Sequence, residues 1–207
     1  MSRAPIAIAL DAPTLGDMEQ WAHAVGPHVQ VVKVGLEVFL RDGHRSVEVA
    51  RGASGCDIFL DLKLHDIPAT VAGAARSVAS LAPRFLTVHA GGGPDMVAAA
   101  CRALPETAVT AVTVLTSLNQ AQLTAMRWSG AAEEIVTTLA LQAVDAGALA
   151  IVCSPQEVAA VRRAVGPGIT LITPGVRPTG TDAADQQRIA TPQQARSEEH
   201  TSELQSH

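Results

Sequence analysis

Residues 57–70 read DIFLDLKLHDIPAT, in which the apolar run DIFLDLKL (57–64) leads into charged residues and a proline. Continuous apolar runs of this length are typical of strands buried on both faces of a parallel sheet. Six more such runs recur along the chain: IAIALD (6–11), VQVVKVGL (29–36), RFLTVHAG (84–91), VTAVTVLTS (109–117), LAIVCSP (149–155) and ITLITPGV (169–176). Ala-rich stretches with helical spacing separate the runs. Strands that alternate with helices predict an α/β fold with a covered parallel sheet.

Seven strand–helix units favour a (β/α)8 barrel over a doubly wound sheet. Asp11 stands where a dinucleotide-binding G-x-G-x-x-G turn would follow the first strand, which argues against the doubly wound alternative. After residue 176 we find no run with the pattern of an eighth strand. We therefore predict one barrel over residues 1–195, here without strand 8.

The last twelve residues, 196–207, read RSEEHTSELQSH and contain no Ala, Val or Ile. This stretch resembles the conceptual translation of a short-read sequencing adapter. We therefore expect residues 196–207 to be a non-native, disordered tail. We expect genomic DNA past codon 195 to encode the native C-terminus.

Composition argues against several classes of function. The chain has 207 residues, of which 47% are hydrophobic, and this is enough for a globular core. A net charge of −5 and an aromatic content of 2% argue against binding to nucleic acid. No apolar run reaches the roughly eighteen residues of a membrane span. Cys56, Cys101 and Cys153 are too far apart for a disulfide framework or a metal knuckle, which predicts a cytoplasmic protein.

Lysine is rare in this chain, which has 15 Lys and Arg residues together but only two lysines, Lys33 and Lys63. Both stand at the ends of apolar runs. Arginine cannot replace lysine where a group must release a proton, because the guanidinium stays charged. We therefore interpret both lysines as functional, although GC-rich codon usage accounts for the excess of arginine.

Four charged residues end the first three predicted strands. Side chains alternate along a strand, so Asp61 and Lys63 share one face. At the C-terminal end of a barrel strand, that face points into the site. Lys33 ends the second strand and Asp11 ends the first, which predicts a row of alternating charge. The alternative is a solvated, charged rim.

This row predicts a particular chemistry. Neighbouring carboxylates favour the ammonium form of a lysine, which disfavours a Schiff base. They also repel an anionic group on a bound substrate, and loss of that group relieves the repulsion. The carbanion left behind would meet an ammonium. We therefore predict proton transfer to or from carbon, with or without loss of CO2, and without a redox cofactor. No His, Cys and Asp cluster has the spacing of a metal site, so we predict no metal.

Seven ordered motifs between about Ile6 and Ala195 resemble the orotidine 5′-phosphate decarboxylase family. They are ALD (9–11), KVG (33–35), DLKLHDIPAT (61–70), HAGGG (89–93), TVLTS (113–117), TPGVRP (173–178) and DQQR with TP (185–192). The resemblance implies a (β/α)8 barrel that works as a homodimer. It also implies a carboxy-lyase that converts orotidine 5′-phosphate to UMP in pyrimidine synthesis, without a cofactor.

The resemblance implies roles for individual residues. Lys63 protonates C6 of the pyrimidine as CO2 leaves, Asp61 lies against the departing carboxylate, and Lys33 orders the row. Asp66 and Thr70 reach into the partner subunit's site to hold the ribose. The remaining substrate contacts are Asp11 at the ribose hydroxyls, Thr116 and Ser117 near the base, and Arg177 with Gln186, or its neighbour Gln187, at the phosphate.

The family continues with an eighth strand, a Gly-Arg pair that completes the phosphate site, and a closing helix. This sequence contains none of them, so we expect the 207-residue chain itself to be inactive. One alternative is a Mg²⁺-dependent enzyme of the keto-gulonate phosphate decarboxylase and hexulose phosphate synthase group, which shares a D-x-K-x-x-D motif. HDIPAT and Lys33 favour the orotidylate interpretation. The other alternative is a non-catalytic fragment.

Overall fold

The computed structural model describes residues 2–174. The chain divides into two compact units. The first comprises Met1–Val88 with Ala99–Val109, and the second comprises His89–Ala98 with Thr110–His207. Arg177, Gln186 and the predicted tail at residues 196–207 lie outside the described residues.

The first unit contains parallel strands whose order in the sheet follows the chain. Its elements are β1 (Ala4–Ala9), α1 (Leu15–Val25), β2 (Val29–Gly35), α2 (Leu36–Asp42), α3 (His44–Ser54), β3 (Asp57–Leu64), α4 (Pro68–Ser77) and β4 (Phe85–His89). Thr14 caps α1 by accepting a hydrogen bond from the Asp17 N–H. Gly43 separates α2 from α3 with a φ of +59°, in the left-handed region that favours glycine.

Two elements lead from one unit into the other, α5 (Pro94–Ala103) and β5 (Ala108–Val112). The second unit continues with α6 (Gln120–Ala125), α7 (Ala132–Asp145), β6 (Ala150–Val152), α8 (Val158–Val165) and β7 (Thr170–Ile172). Its strands β5, β6 and β7 also pair in parallel and in chain order. None of the helices described here is long and apolar enough to cross a membrane.

Each of the seven predicted apolar runs overlaps one strand, and helices follow the strands as expected. This confirms the predicted α/β class with parallel strands. The bounds of β3 match the predicted run, whereas β6 and β7 have only 3 residues each. Trp21 lies in α1 at an apolar helical spacing, and it is 45% exposed.

The core of the first unit holds the strands that carry the predicted site. The central residues of β2 and β3 and the facing residues of α1 and α3 are 1% exposed or less: Val32, Val34, Ile58, Leu60, Met18, Ala22, Val47 and Ala50. Burial on both faces of the strands explains their continuous apolar character. The polar residues therefore emerge where the strands end.

Candidate active site

Charged side chains form a continuous row where β1, β2 and β3 end. The Lys33 Nζ lies 3.4 Å from Asp11 Oδ2 and 3.6 Å from Asp61 Oδ2. The Lys63 Nζ lies 2.8 Å from both carboxylate oxygens of Asp61. The strand register pairs Ala9 with Lys33, so neighbouring strand ends stand side by side. The structure thus brings the four residues together in the order Asp, Lys, Asp, Lys.

Asp61 is the centre of this row and is buried, with a side chain only 12% exposed. Burial alone would raise the pKa of Asp61, because it penalises the charged form. The hydrogen bond from Lys63, the charges of Lys63 and Lys33 and a hydrogen bond from Thr87 outweigh burial and lower the pKa below its ordinary value. Asp61 is therefore a carboxylate at neutral pH.

The pairing of β3 with β4 is irregular next to Asp61 and Lys63. The β3–β4 register pairs Leu60 with Leu86, but then pairs Leu64 with Val88. Three residues of β3 therefore lie opposite one residue of β4, which is a bulge. Within the bulge Lys63 has a φ of +48°, in the left-handed region. Leu60, Leu62 and Leu64 pack in the core of the first unit, and Asp61 and Lys63 alternate with them. The two charged residues therefore share one face of β3, as strand alternation predicts.

Thr87 lies opposite the bulge, and the sequence alone did not identify it as part of the site. Its side chain is fully buried, and its Oγ1 donates a hydrogen bond to Asp61 Oδ1 at 2.9 Å. The same oxygen accepts a hydrogen bond from the Lys63 backbone N–H at 2.8 Å. One signal was present in the sequence, because Thr87 is a polar residue inside the apolar strand FLTVH.

Asp66 and Thr70 lie beyond the end of β3 and are exposed. Asp66 Oδ1 accepts a hydrogen bond from the Ile67 N–H at 2.6 Å, which orders the turn before α4. Thr70 lies in the first turn of α4. The structure therefore places both residues outside the row of ion pairs within this chain.

The other predicted contacts belong elsewhere in the chain. Thr116 and Ser117 lie in the second unit, in the turn that follows β5, where Thr116 is buried and Ser117 is half-buried. The predicted phosphate contacts, Arg177 and Gln186, are outside the described residues. Across residues 2–174, no group of three or more His, Cys, Asp or Glu side chains could hold a metal ion.

Gly35 lies beneath the row and leaves space for it. A Cβ built on Gly35 would lie 2.5 Å from Asp11 Oδ1 and 3.1 Å from Lys33 Nζ. The backbone at Gly35 has a φ of −82°, which any residue can adopt. Close approach of charged side chains, and not backbone conformation, is therefore what requires glycine here.

The chain resembles known proteins over most of its length. The family model of "Orotidine 5'-phosphate decarboxylase / HUMPS family" matches residues 4–201. The orotidine 5′-phosphate decarboxylase of Thermobifida fusca (strain YX) is 63% identical over 192 residues, which cover 93% of this chain and 82% of that protein. The enzyme of the same name from Frankia casuarinae is 50% identical, over 93% of this chain and 77% of that protein.

A solved structure also resembles the chain. The crystal structure of orotidine 5′-phosphate decarboxylase from Lactobacillus acidophilus has a TM-score of 0.79 and 32% identity, and the match covers 95% of this chain and 87% of that one. This likeness confirms the predicted barrel class, to which the described residues contribute seven strands. By sequence along nearly its whole length and by structure, the chain belongs to the orotidine 5′-phosphate decarboxylase / HUMPS family.

Proposed function

We propose that this protein decarboxylates orotidine 5′-phosphate to UMP without a metal or cofactor, and that Lys63 supplies the proton. The observation that carries the proposal is the position of Asp61, whose carboxylate contacts both lysines of the chain. Relatives with the name orotidine 5′-phosphate decarboxylase, at 63% and 50% identity, support the choice of substrate over that of the Mg²⁺-dependent group.

The reaction follows from the charges of the row. The substrate carboxylate at C6 lies against Asp61, whose lowered pKa keeps it ionised, and the two anions repel each other. The bond from C6 to the carboxylate breaks, CO2 leaves, and the electron pair stays on C6. The Lys63 ammonium donates its proton to C6, and water then reprotonates the amine. Ammonium groups held in place stabilise charge as it develops in the transition state.

The other contacts with substrate follow the family pattern residue by residue. Asp11 binds the ribose hydroxyls, and Thr116 with Ser117 lies near the base. Arg177, with Gln186 or its neighbour Gln187, binds the phosphate. Arginine suits phosphate because its planar donors make paired hydrogen bonds, and barrels of this class bind phosphate in the loops after strands 7 and 8.

The working unit is a homodimer in which Asp66 and Thr70 complete the site of the other subunit. Both side chains are exposed and lie outside the row of their own chain. Large apolar side chains in the segments that follow β2 and β3 are also exposed, with Leu40 of α2 at 76% and Ile67, before α4, at 66%. We infer that these side chains lie in the dimer interface, where a two-fold axis would give each site the same contribution.

The protein functions in the cytoplasm. Cys56, Cys101 and Cys153 form no disulfide, and unpaired thiols suit a reducing compartment.

Loss of the orotidylate absorbance tests the proposed function. The assay uses the protein expressed from the genomic locus, called here the full gene product. We expect turnover in EDTA at the same rate as in Mg²⁺, with UMP and CO2 formed in equal amounts. Activity that disappears with EDTA and returns with Mg²⁺ would support the Mg²⁺-dependent alternative instead.

The space above Gly35 gives a prediction about the row. In Gly35→Ala, the new methyl group displaces the flexible ends of Asp11 and Lys33, so the fold persists while the charges shift. Misplacement by about 1 Å can cost about 10²-fold in rate, and we expect kcat/KM to fall at least about tenfold. The melting temperature should stay within a few degrees. Gly52→Ala is the control, because nothing lies within 4 Å of a Cβ there. Unchanged kcat/KM in Gly35→Ala would contradict the prediction.

A further inference from the structure

The bulge in β3 is held in part by a side chain of the neighbouring strand. Regular pairing with β4 stops after Leu60 and resumes at Leu64, and between them the Lys63 N–H donates to a side chain, Thr87 Oγ1, at 2.8 Å. Lys63 also has a positive φ of +48°, which costs free energy in a residue with a side chain. Such a conformation persists only when the surroundings hold it.

A single hydroxyl, that of Thr87, bonds to both Lys63 and Asp61. A threonine hydroxyl has one proton to donate and lone pairs that accept. Thr87 uses the proton for Asp61 Oδ1 at 2.9 Å and a lone pair for the Lys63 N–H at 2.8 Å. The hydroxyl therefore joins the backbone of one member of the row to the carboxylate of its neighbour. The side chain is fully buried in β4, so solvent does not compete for these bonds.

We propose that Thr87 is a positioning residue of this site, which holds Lys63 in its left-handed conformation and aims the Asp61 carboxylate at both lysines. The proposal rests on the proposed function, because it names what orients the proton donor. Thr87 touches neither lysine ammonium and acts through Asp61 and the Lys63 backbone. Its loss should therefore reduce kcat more than it changes KM.

The test compares hydroxyl-bearing and hydroxyl-free residues at position 87 in the full gene product. Thr87→Val keeps the shape and removes the hydroxyl, whereas Thr87→Ser keeps the hydroxyl. Thr107→Val is the matched control, because Thr107 is also buried in the first unit and its hydroxyl donates to the Pro83 carbonyl at 2.8 Å. The measurements are kcat and KM for orotidylate and the pKa of Asp61 by carboxyl-carbon NMR.

We expect kcat of Thr87→Val to fall about 10²-fold, in line with the cost of misplacing a reacting group, while KM changes less than about threefold. The pKa of Asp61 should rise, because a hydrogen bond that lowers it is lost. Thr87→Ser should recover most of kcat, and Thr107→Val should lose stability but keep kcat. If Thr87→Val does not fold, Thr87→Ala against Thr87→Ser makes the same comparison, since the pair differs by one hydroxyl.

Three results would overturn the proposal: kcat of Thr87→Val close to that of the wild type, equal losses in Thr87→Val and Thr107→Val, or an unchanged pKa of Asp61. Failure of the proposed function looks different, because the wild-type protein itself would then not turn over orotidylate. The NMR titration of Asp61 would still decide whether Thr87 holds the carboxylate.

Discussion

Replacement of Lys63 by arginine is expected to abolish turnover while the substrate still binds. The guanidinium keeps the positive charge beside Asp61, but it does not release a proton at working pH. Loss of a general acid costs about 10²–10⁴-fold in rate. We expect the loss in kcat to exceed this range, because the proposed mechanism gives the carbanion at C6 no proton donor other than Lys63. Steady-state kinetics and calorimetric binding of UMP measure the two effects separately.

The chain offers a matched comparison for this variant. Lys33→Arg also keeps the charge beside Asp61, and in this account Lys33 donates no proton. We therefore expect Lys33→Arg to lose much less activity than Lys63→Arg. Near-normal turnover in Lys63→Arg would show that Lys63 acts only through its charge, and equal losses in both variants would show that geometry alone matters.

Two inactive variants are expected to restore activity when their subunits mix. Asp66→Ala and Lys63→Ala each inactivate every site of their own homodimer. In a mixed dimer, if Asp66 acts across the interface, one site has both substitutions and the other has both native residues. Random exchange makes about half of the dimers mixed, so about a quarter of all sites are native. Mixing should therefore recover up to about a quarter of wild-type activity.

The control for mixing uses two residues of the same row. Asp61→Ala and Lys63→Ala should not complement each other, because Asp61 and Lys63 contact each other within one chain and no mixed dimer contains a native site. Native mass spectrometry verifies that the subunits have exchanged. No recovery between Asp66→Ala and Lys63→Ala after verified exchange would place Asp66 in the site of its own subunit.

The sequence predicted the strand order and the charge row because both depend on local pattern. Segments with helical spacing flank the apolar run at 57–64 on both sides, and the bounds of this run agree with β3. The two lysines were conspicuous because arginine replaces lysine elsewhere in the chain. Strand ends of a parallel sheet meet at one edge, so residues placed there by pattern also meet in space.

The bulge and its partner could not be predicted in this way. A bulge arises from the register between β3 and β4, and register depends on tertiary pairing that a single strand does not encode. Because the bulge was not predicted, there was no reason from the sequence to connect Thr87 with Asp61. The exposure of Trp21 shows a similar limit of sequence pattern. Helical spacing identifies the apolar face of a helix, but it does not show how much of that face the neighbouring elements cover.

The central claim is that Lys63 protonates C6 as CO2 leaves, without a metal. The most direct test is turnover of orotidine 5′-phosphate by the full gene product in D2O with EDTA, followed by NMR of the UMP formed. We expect the wild-type protein to form UMP with one deuterium at C6, and we expect Lys63→Arg to form no UMP. Deuterated UMP from Lys63→Arg at a comparable rate, or wild-type turnover only after Mg²⁺ is returned, would contradict this claim.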